Sequence, residues 1–283
     1  METTKTLNVK TELIDPSIEN AKPENCNLSI LFQRDGLVFS ILRNDVGKYI
    51  VLGEYETDSV NPDTASLFNF QDQLQGPFAA LQLGYYTAKF TLVPASLFNS
   101  AAVDNYAAFQ FELAEDEVLR HDELTTHGIV ILYAVPKSII QVAADHFGKN
   151  ALHHAAYYTI SHFLDAYKNK PGEHIHAQLW RQHVEVIVIK NGRLLACNAF
   201  NYQTDEDVLY YILNVYEQLE LNPESVPLKL AGELLKGTGK WQLLEKYIRF
   251  VEVEKRPAGQ YSHEFKTVPE HKYNRIFQAA QCV

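Results

Sequence analysis

The feature that most restricts what this chain can fold into is an order of elements that occurs twice. Leu28–Glu56, LSILFQRDGLVFSILRNDVGKYIVLGEYE, is split by Asp35-Gly36 and by Asp45-Val46-Gly47 into three β-rich runs, the signature of a three-stranded meander. NPDTASLFNFQDQLQG (61–76) follows, with Pro62 suited to a first helical turn and Gly76 to a helix end; YTAKFTLVP (86–94) then reads as a strand. His176–Tyr202 repeats the opening: three β-rich runs, the last two joined by Asn191-Gly192, a strong type I′ hairpin signal. Thr204, followed by three acids, predicts the N-cap of a helix running to about Leu219. Val208, Leu209, Ile212, Leu213, Tyr216 and Leu219 form its apolar stripe. A strand VPLKLAG, a helix over about Trp241–Ile248 and a strand RFVEVE complete the second copy. Both halves read β-β-β-α-β, a duplication of pattern rather than of sequence.

Between the copies, Gly128–Val135 reads as a buried strand, and Pro136 opens a helix that Gly148 closes, with Ile139, Ile140, Ala143 and Phe147 inward. A second helix runs to about Lys168 along Ile160, Phe163, Leu164 and Tyr167. The NKPG stretch makes a boundary near residue 172. The expected organisation is a polar N-terminal arm (1–26), a first lobe (27–172), a second lobe (173–255) and a tail (256–283) packing back on the first lobe. With 283 residues, 46% of them hydrophobic, the chain is long enough for two cores.

The net charge of −10 argues against nucleic acid or an anionic membrane surface as the main partner, because both need clustered Lys and Arg. Three distant cysteines without a CxxC pair fit a reducing compartment with no disulfide framework. The first 26 residues lack the apolar core of a signal peptide, and no run of about 18 apolar residues occurs, so the expected location is cytoplasmic without membrane insertion.

Two β-β-β-α-β units joined by strand–helix–helix resemble the actin-like ATPase fold (ribonuclease H-like, mixed α/β) shared by actin, sugar kinases and Hsp70 chaperones. The segments VILYAVPKSIIQVAADHFGKN, VIVIKNGRLLACNAF and VPLKLAGELL resemble those of the pilus-assembly adaptor family PilM and its secretion-system relatives. The whole layout, with TLVPASLF and VPEHKYNRIFQAAQC, is also similar to an uncharacterised bacterial family with an actin-like ATPase fold. The resemblance covers about residues 27–255 and rests on the order of the motifs.

LAGELLKGTGKW (230–241) raises the question of a nucleotide loop. As a P-loop it fails: Gly232 and Gly237 have the outer spacing, but Thr238 stands where lysine is needed, and Gly239-Lys240 is followed by Trp241, which has no hydroxyl. The resemblance implies that Gly232 opens an adenosine-contacting turn that usually carries two glycines; here Glu233 holds the second place. The plainer reading makes these glycines turns between strand and helix. The resemblance also implies an Asp-x-Gly turn in the first hairpin of each lobe, holding magnesium and phosphate. In the first lobe Asp35-Gly36 lacks that spacing, and in the second Gln178, Leu179 and Trp180 fall where it should be. Losing two charge-assisted contacts of about 1.5–3 kcal/mol each weakens binding by roughly two to four orders of magnitude.

The resulting expectation is a non-catalytic actin-like adaptor or scaffold with degenerate nucleotide motifs, no bound cofactor and a protein or peptide partner. The alternative is a divergent ATPase or phosphotransferase using Asp35, Gln178, Arg181, Gly232, Glu233 and Lys240, with ATP and magnesium. A metal site at His174, His176 and His183 is disfavoured, since the odd separation of His176 and His183 puts them on opposite strand faces and no Cys or carboxylate completes a set. The Gly-x-Ser-x-Gly turn of the common hydrolases does not occur.

Overall fold

The structure, a computed structural model, describes residues 7–33, 35–57, 77–148 and 152–282. The helix expected over 61–76 lies outside them. The chain forms two compact units, Met1–Tyr158 with Ala258–Val268 and Ile276–Val283, and Thr159–Pro257 with Pro269–Arg275.

In the first unit, β1 (Leu7–Ile14), β2 (Cys26–Gln33), β3 (Gly36–Arg43), β4 (Lys48–Thr57) and β5 (Ala80–Tyr85) precede β6 (Phe90–Pro94). Then come α1 (Val103–Ala108), β7 (Glu117–Leu124), β8 (Ile129–Pro136), α2 (Lys137–Phe147) and β9 (Leu152–His154). The principal sheet has the order β1-β4-β3-β2-β5-β9, and β6-β8-β7 form a separate antiparallel sheet. Residues 7–14, which read as part of a polar arm, pair antiparallel with β4. The strand parallel to β2 is β5, not the expected 86–94. That segment supplies β6, which pairs with β8 instead. The misreading has a physical cause: AALQLGYY has no period-2 pattern, because successive residues Leu83, Gly84 and Tyr85 are all buried.

The second unit begins at Thr159 within α3 (Ala155–Tyr167) and holds β10 (Glu173–Trp180), β11 (His183–Lys190), β12 (Arg193–Asn201), α4 (Asp205–Gln218), β13 (Leu228–Gly232), α5 (Gly239–Glu245) and β14 (Val251–Val253). Its sheet runs β12-β11-β10-β13-β14. That is the order of β4-β3-β2-β5-β9: a meander whose first strand is central and pairs in parallel with the fourth. The strand order of the two copies is therefore a duplicated topology. Asn191 and Gly192 both have positive φ (51° and 74°), as a two-residue type I′ turn requires, and Lys190 pairs with Arg193 across it. The segment after β14 contributes β15 (Gln260–Tyr261), which pairs with β4, and α6 (Asn274–Gln281).

Alternation splits the second unit's sheet into two unlike faces. Ile175, Ala177 and Leu179 of β10 join Val184, Val186 and Val188 of β11 against Val208, Ile212, Trp241 and Leu244 of the helices. The opposite face carries His174, His176 and Gln178 from β10 and Glu185 from β11, of which the last three are buried. Helix α4 starts with a capping box: the Asp207 amide donates to Thr204 Oγ1 (3.1 Å), and the Thr204 amide donates to Asp207 Oδ2 (2.9 Å). Thr204→Ala is expected to cost about 1 kcal/mol, read as a lower urea midpoint with unchanged slope.

Candidate functional site

The site expected from sequence lies around the C-terminal end of β13 and the β10–β11 turn. Trp180 pairs with His183, so Arg181 and Gln182 alone make that turn. Arg181 adopts φ 50°, and its backbone N–H donates to Glu233 Oε2 at 2.9 Å. The Glu233 amide in turn donates to the Leu179 carbonyl at 2.7 Å. Glu233 thus clips the hairpin turn to the end of β13 with both backbone and side chain. Burial lowers the Arg181 guanidinium from its ordinary range, and the nearby Glu233 carboxylate opposes that shift.

Gly232 has φ 91°, and a Cβ on it would lie 1.8 Å from the Leu179 carbonyl oxygen. Its amide donates to the His271 carbonyl at 2.9 Å, and His271 Nε2 lies 2.8 Å from the Leu234 carbonyl, so residues of the C-terminal segment fix this turn. Glycine here is demanded by the approach of β10 and by backbone conformation. No ligand is needed to account for it.

Beyond this turn opens a cleft of about 540 Å³, lined by Asp205, Gly232, Glu233, Thr238, Lys240 and Lys272 among others. Lys240 donates to the Tyr202 hydroxyl (3.1 Å), lies 4.4 Å from that ring's centre and approaches Asp205 Oδ1 at 3.5 Å. Lys272 donates to the Tyr273 hydroxyl at 2.8 Å. The cleft therefore presents ammonium and carboxylate groups together.

Of the six residues expected to form a site, Gly232, Glu233 and Lys240 line this cleft, and Arg181 joins them through Glu233. Gln178 points to the polar sheet face, where its Oε1 accepts from Arg275 Nε at 2.8 Å. Asp35 belongs to the other unit, in the turn between β2 and β3, half-buried. Beside it Gly36 (φ 153°) is held to glycine by the Tyr55 carbonyl oxygen, 2.0 Å from where a Cβ would sit. Trp180, at the place expected for a phosphate-approaching glycine, is half-buried with its ring 6.3 Å from that of Tyr273.

Sequence reasoning missed the buried ionic layer on the polar face. Glu185 is wholly buried, and its Oε1 accepts from Arg275 Nη2 at 3.1 Å. Burial raises the Glu185 carboxyl above its ordinary range, and Arg275 pulls it back. Next to it His176 Nδ1 lies 3.1 Å from Glu254 Oε2, His176 Nε2 lies 3.0 Å from the Tyr167 hydroxyl, and Lys229 donates to that hydroxyl at 3.1 Å. Both ring nitrogens of His176 are thus engaged by protein groups. Among the described residues no group of three or more His, Cys, Asp or Glu side chains is placed to hold a metal ion. A signal for Glu185 was present: a carboxylate second in the otherwise apolar run VEVIVI needs a buried partner.

No helix among the described residues is long and apolar enough to cross a membrane. Comparison with solved structures gives a protein of actin-like ATPase fold and unknown function from Bacteroides thetaiotaomicron VPI-5482. It has a TM-score of 0.79 and 21% identity, over 92% of this chain and 97% of that one. The PilM–PilN type IV pilus biogenesis complex matches with a TM-score of 0.52 and 10% identity, over 90% of this chain and 96% of that one. At these identities the likeness establishes the fold alone. No curated protein matches the sequence. The model of the family described as protein of unknown function (DUF3822) matches residues 15–251. Its span takes in both meanders, the hairpin turns and the Gly232–Lys240 stretch, so this chain, with its actin-like ATPase fold, belongs to the DUF3822 family.

Proposed function

We propose that the protein is a non-catalytic, cytoplasmic actin-like adaptor that binds a protein or peptide partner and has lost the means to hold a nucleotide. The observation that carries this reading is the Glu233 carboxylate on the Arg181 amide. In the ATPases the chain resembles, the turn N–H groups of this hairpin face phosphate. Here a carboxylate of the protein is the acceptor, and an incoming phosphate would meet like charge. The chemistry of Gln178 agrees with it: an amide bound to Arg275 takes the place of a magnesium-binding carboxylate. A protein partner fits the PilM relationship, since that protein is seen in a complex with PilN.

Calorimetric titration with MgATP tests the nucleotide half. No binding heat is expected up to millimolar nucleotide. A dissociation constant of about 1 mM or tighter overturns the reading. The open cleft with Lys240 and Lys272 supports the second reading, a divergent ATPase or phosphotransferase. In that case binding and hydrolysis would both fall in Lys240→Ala. For the partner half, capture from native lysate on the immobilised chain is expected to enrich a discrete protein; recovery of background alone counts against an adaptor.

A further inference from the structure

The edges of the three sheets are guarded unequally. Strand β1 carries Lys10 and Glu12 and a register shift between Val9 and Thr11. Strand β7 carries Glu117, Arg120, Asp122 and Glu123. Strand β6 is five residues long and ends in Pro94, and β9 and β14 are three residues each. These are the usual means of keeping an edge from pairing with another chain. Strand β12, RLLACNAFN, is the exception: nine residues, no proline, and one charge, Arg193, at its start. It is terminal in its sheet, and among the described residues no strand pairs with its outer edge. The register shift on β12 falls at Leu195, close to the hairpin, and leaves the run from Ala196 to Asn201 regular.

The surface beside this edge is apolar. Phe200 stacks on Tyr211 of α4 with ring centres 4.5 Å apart, and Tyr211 meets Tyr210 edge-on at 5.5 Å. Tyr210 is 64% exposed, and Leu195, on the strand itself, is 43% exposed. Charge is also distributed unevenly along the strand. Arg193 stands at its start, while Asp205, Glu206 and Asp207 open α4 just beyond its end.

We propose that β12 pairs antiparallel with β12 of a second copy about a two-fold axis, joining two five-stranded sheets into one ten-stranded sheet. A two-fold pairing of identical strands must set one residue opposite itself. Centred on Asn198, it places Ala196 against Phe200 and Cys197 against Ala199, and leaves Leu195 outside the regular run. No like charges then face each other across the pair. An axis perpendicular to the sheet keeps both α4 helices on one face, so the Tyr210–Tyr211–Phe200 groups cover the junction from both copies. The same axis brings the basic start of each strand to the acidic start of the other copy's α4. This complementarity under two-fold symmetry favours a second copy over an unrelated strand.

Sedimentation equilibrium of the full chain, from about 1 to about 100 μM, is expected to show a monomer–dimer equilibrium. Leu195→Lys places a charge at the edge on an exposed side chain and is expected to weaken the dimer roughly tenfold or more, with thermal stability of the monomer unchanged. Arg193→Glu and Glu206→Lys should each weaken it alone, because each sets like charges at both ends of the junction. Mixed in equal amounts the two variants should associate again, since every end then pairs opposite charges. A chain that stays monomeric throughout overturns the proposal. So does a dimer indifferent to Leu195→Lys, or charge variants that fail to complement each other.

Discussion

Replacing Arg275 with alanine is expected to cost about 3–5 kcal/mol of stability at neutral pH, the largest single effect in the molecule. The reason is what remains behind. Glu185 is wholly buried, Arg275 is the cation that meets it, and its Oε2 has no hydrogen-bond donor among the described residues. Without the guanidinium, an ionised carboxylate would sit unpaired between sheet and cover. The loss should depend on pH in a defined sense. Burial already raises the Glu185 carboxyl in the folded protein, and removing Arg275 raises it further. A folded-state pKa above the unfolded one means that the native state binds the extra proton, so stability falls as pH rises through that window and recovers as pH falls. Urea titrations of Arg275→Ala should therefore show a smaller deficit near pH 5 than at pH 7. Glu185→Gln added to Arg275→Ala should recover part of the loss and flatten its pH dependence. An Arg275→Ala deficit equal at both pH values would mean that the ion pair is not what the mutation removes.

Gly232→Ala is expected to be nearly as damaging, roughly 3 kcal/mol or more. Two costs coincide: a left-handed φ of 91°, and a methyl placed 1.8 Å from the Leu179 carbonyl, a backbone atom that cannot turn aside. Relief would require β13 to leave β10, which undoes the pairing of Leu179 with Gly232 and the Glu233–Leu179 hydrogen bond. Gly237→Ala separates the two costs. That residue has φ 83° but no atom within 4 Å of where its methyl would sit, so it should lose about 1–2 kcal/mol, the conformational part alone. Equal losses at the two glycines in thermal or urea unfolding would show that the close approach is unimportant. A damaged Gly232 variant would accordingly report on folding and say nothing of a nucleotide.

How much of this was legible in the sequence depended on whether a signal was local. Asn191-Gly192 and Thr204 with its acids announce a turn and a cap within a few residues, and both stand where the sequence puts them. The repeat of elements was legible for the same reason, and with it the fold. The site was only half so. Gly232, Glu233 and Lys240 come together because they are neighbours in sequence, but Gln178 belongs to a different face, because residues two apart on a strand share a face and its companion is His176. Arg275 and His271 were missed because their partners lie 90 and 37 residues away, and nothing in HKYNR marks it as the cover of a sheet. Only Glu185 itself, a charge in an apolar strand, hinted that such a partner had to exist.

The wide spacing of that ion pair also has a consequence in time. Chain growth at about 5–20 residues per second puts roughly 5–18 seconds between the synthesis of Glu185 and that of its partner, 90 residues later. Before that interval ends, all five strands and both helices of the second sheet have been made, yet the carboxylate on its polar face has no cation to meet. The sheet can pack its apolar side as it emerges, and Phe163 and Tyr167 of α3 can meet His176 on the other side, but Glu185 stays uncompensated until Arg275 arrives, so this buried ion pair closes only after every strand of its sheet has been made.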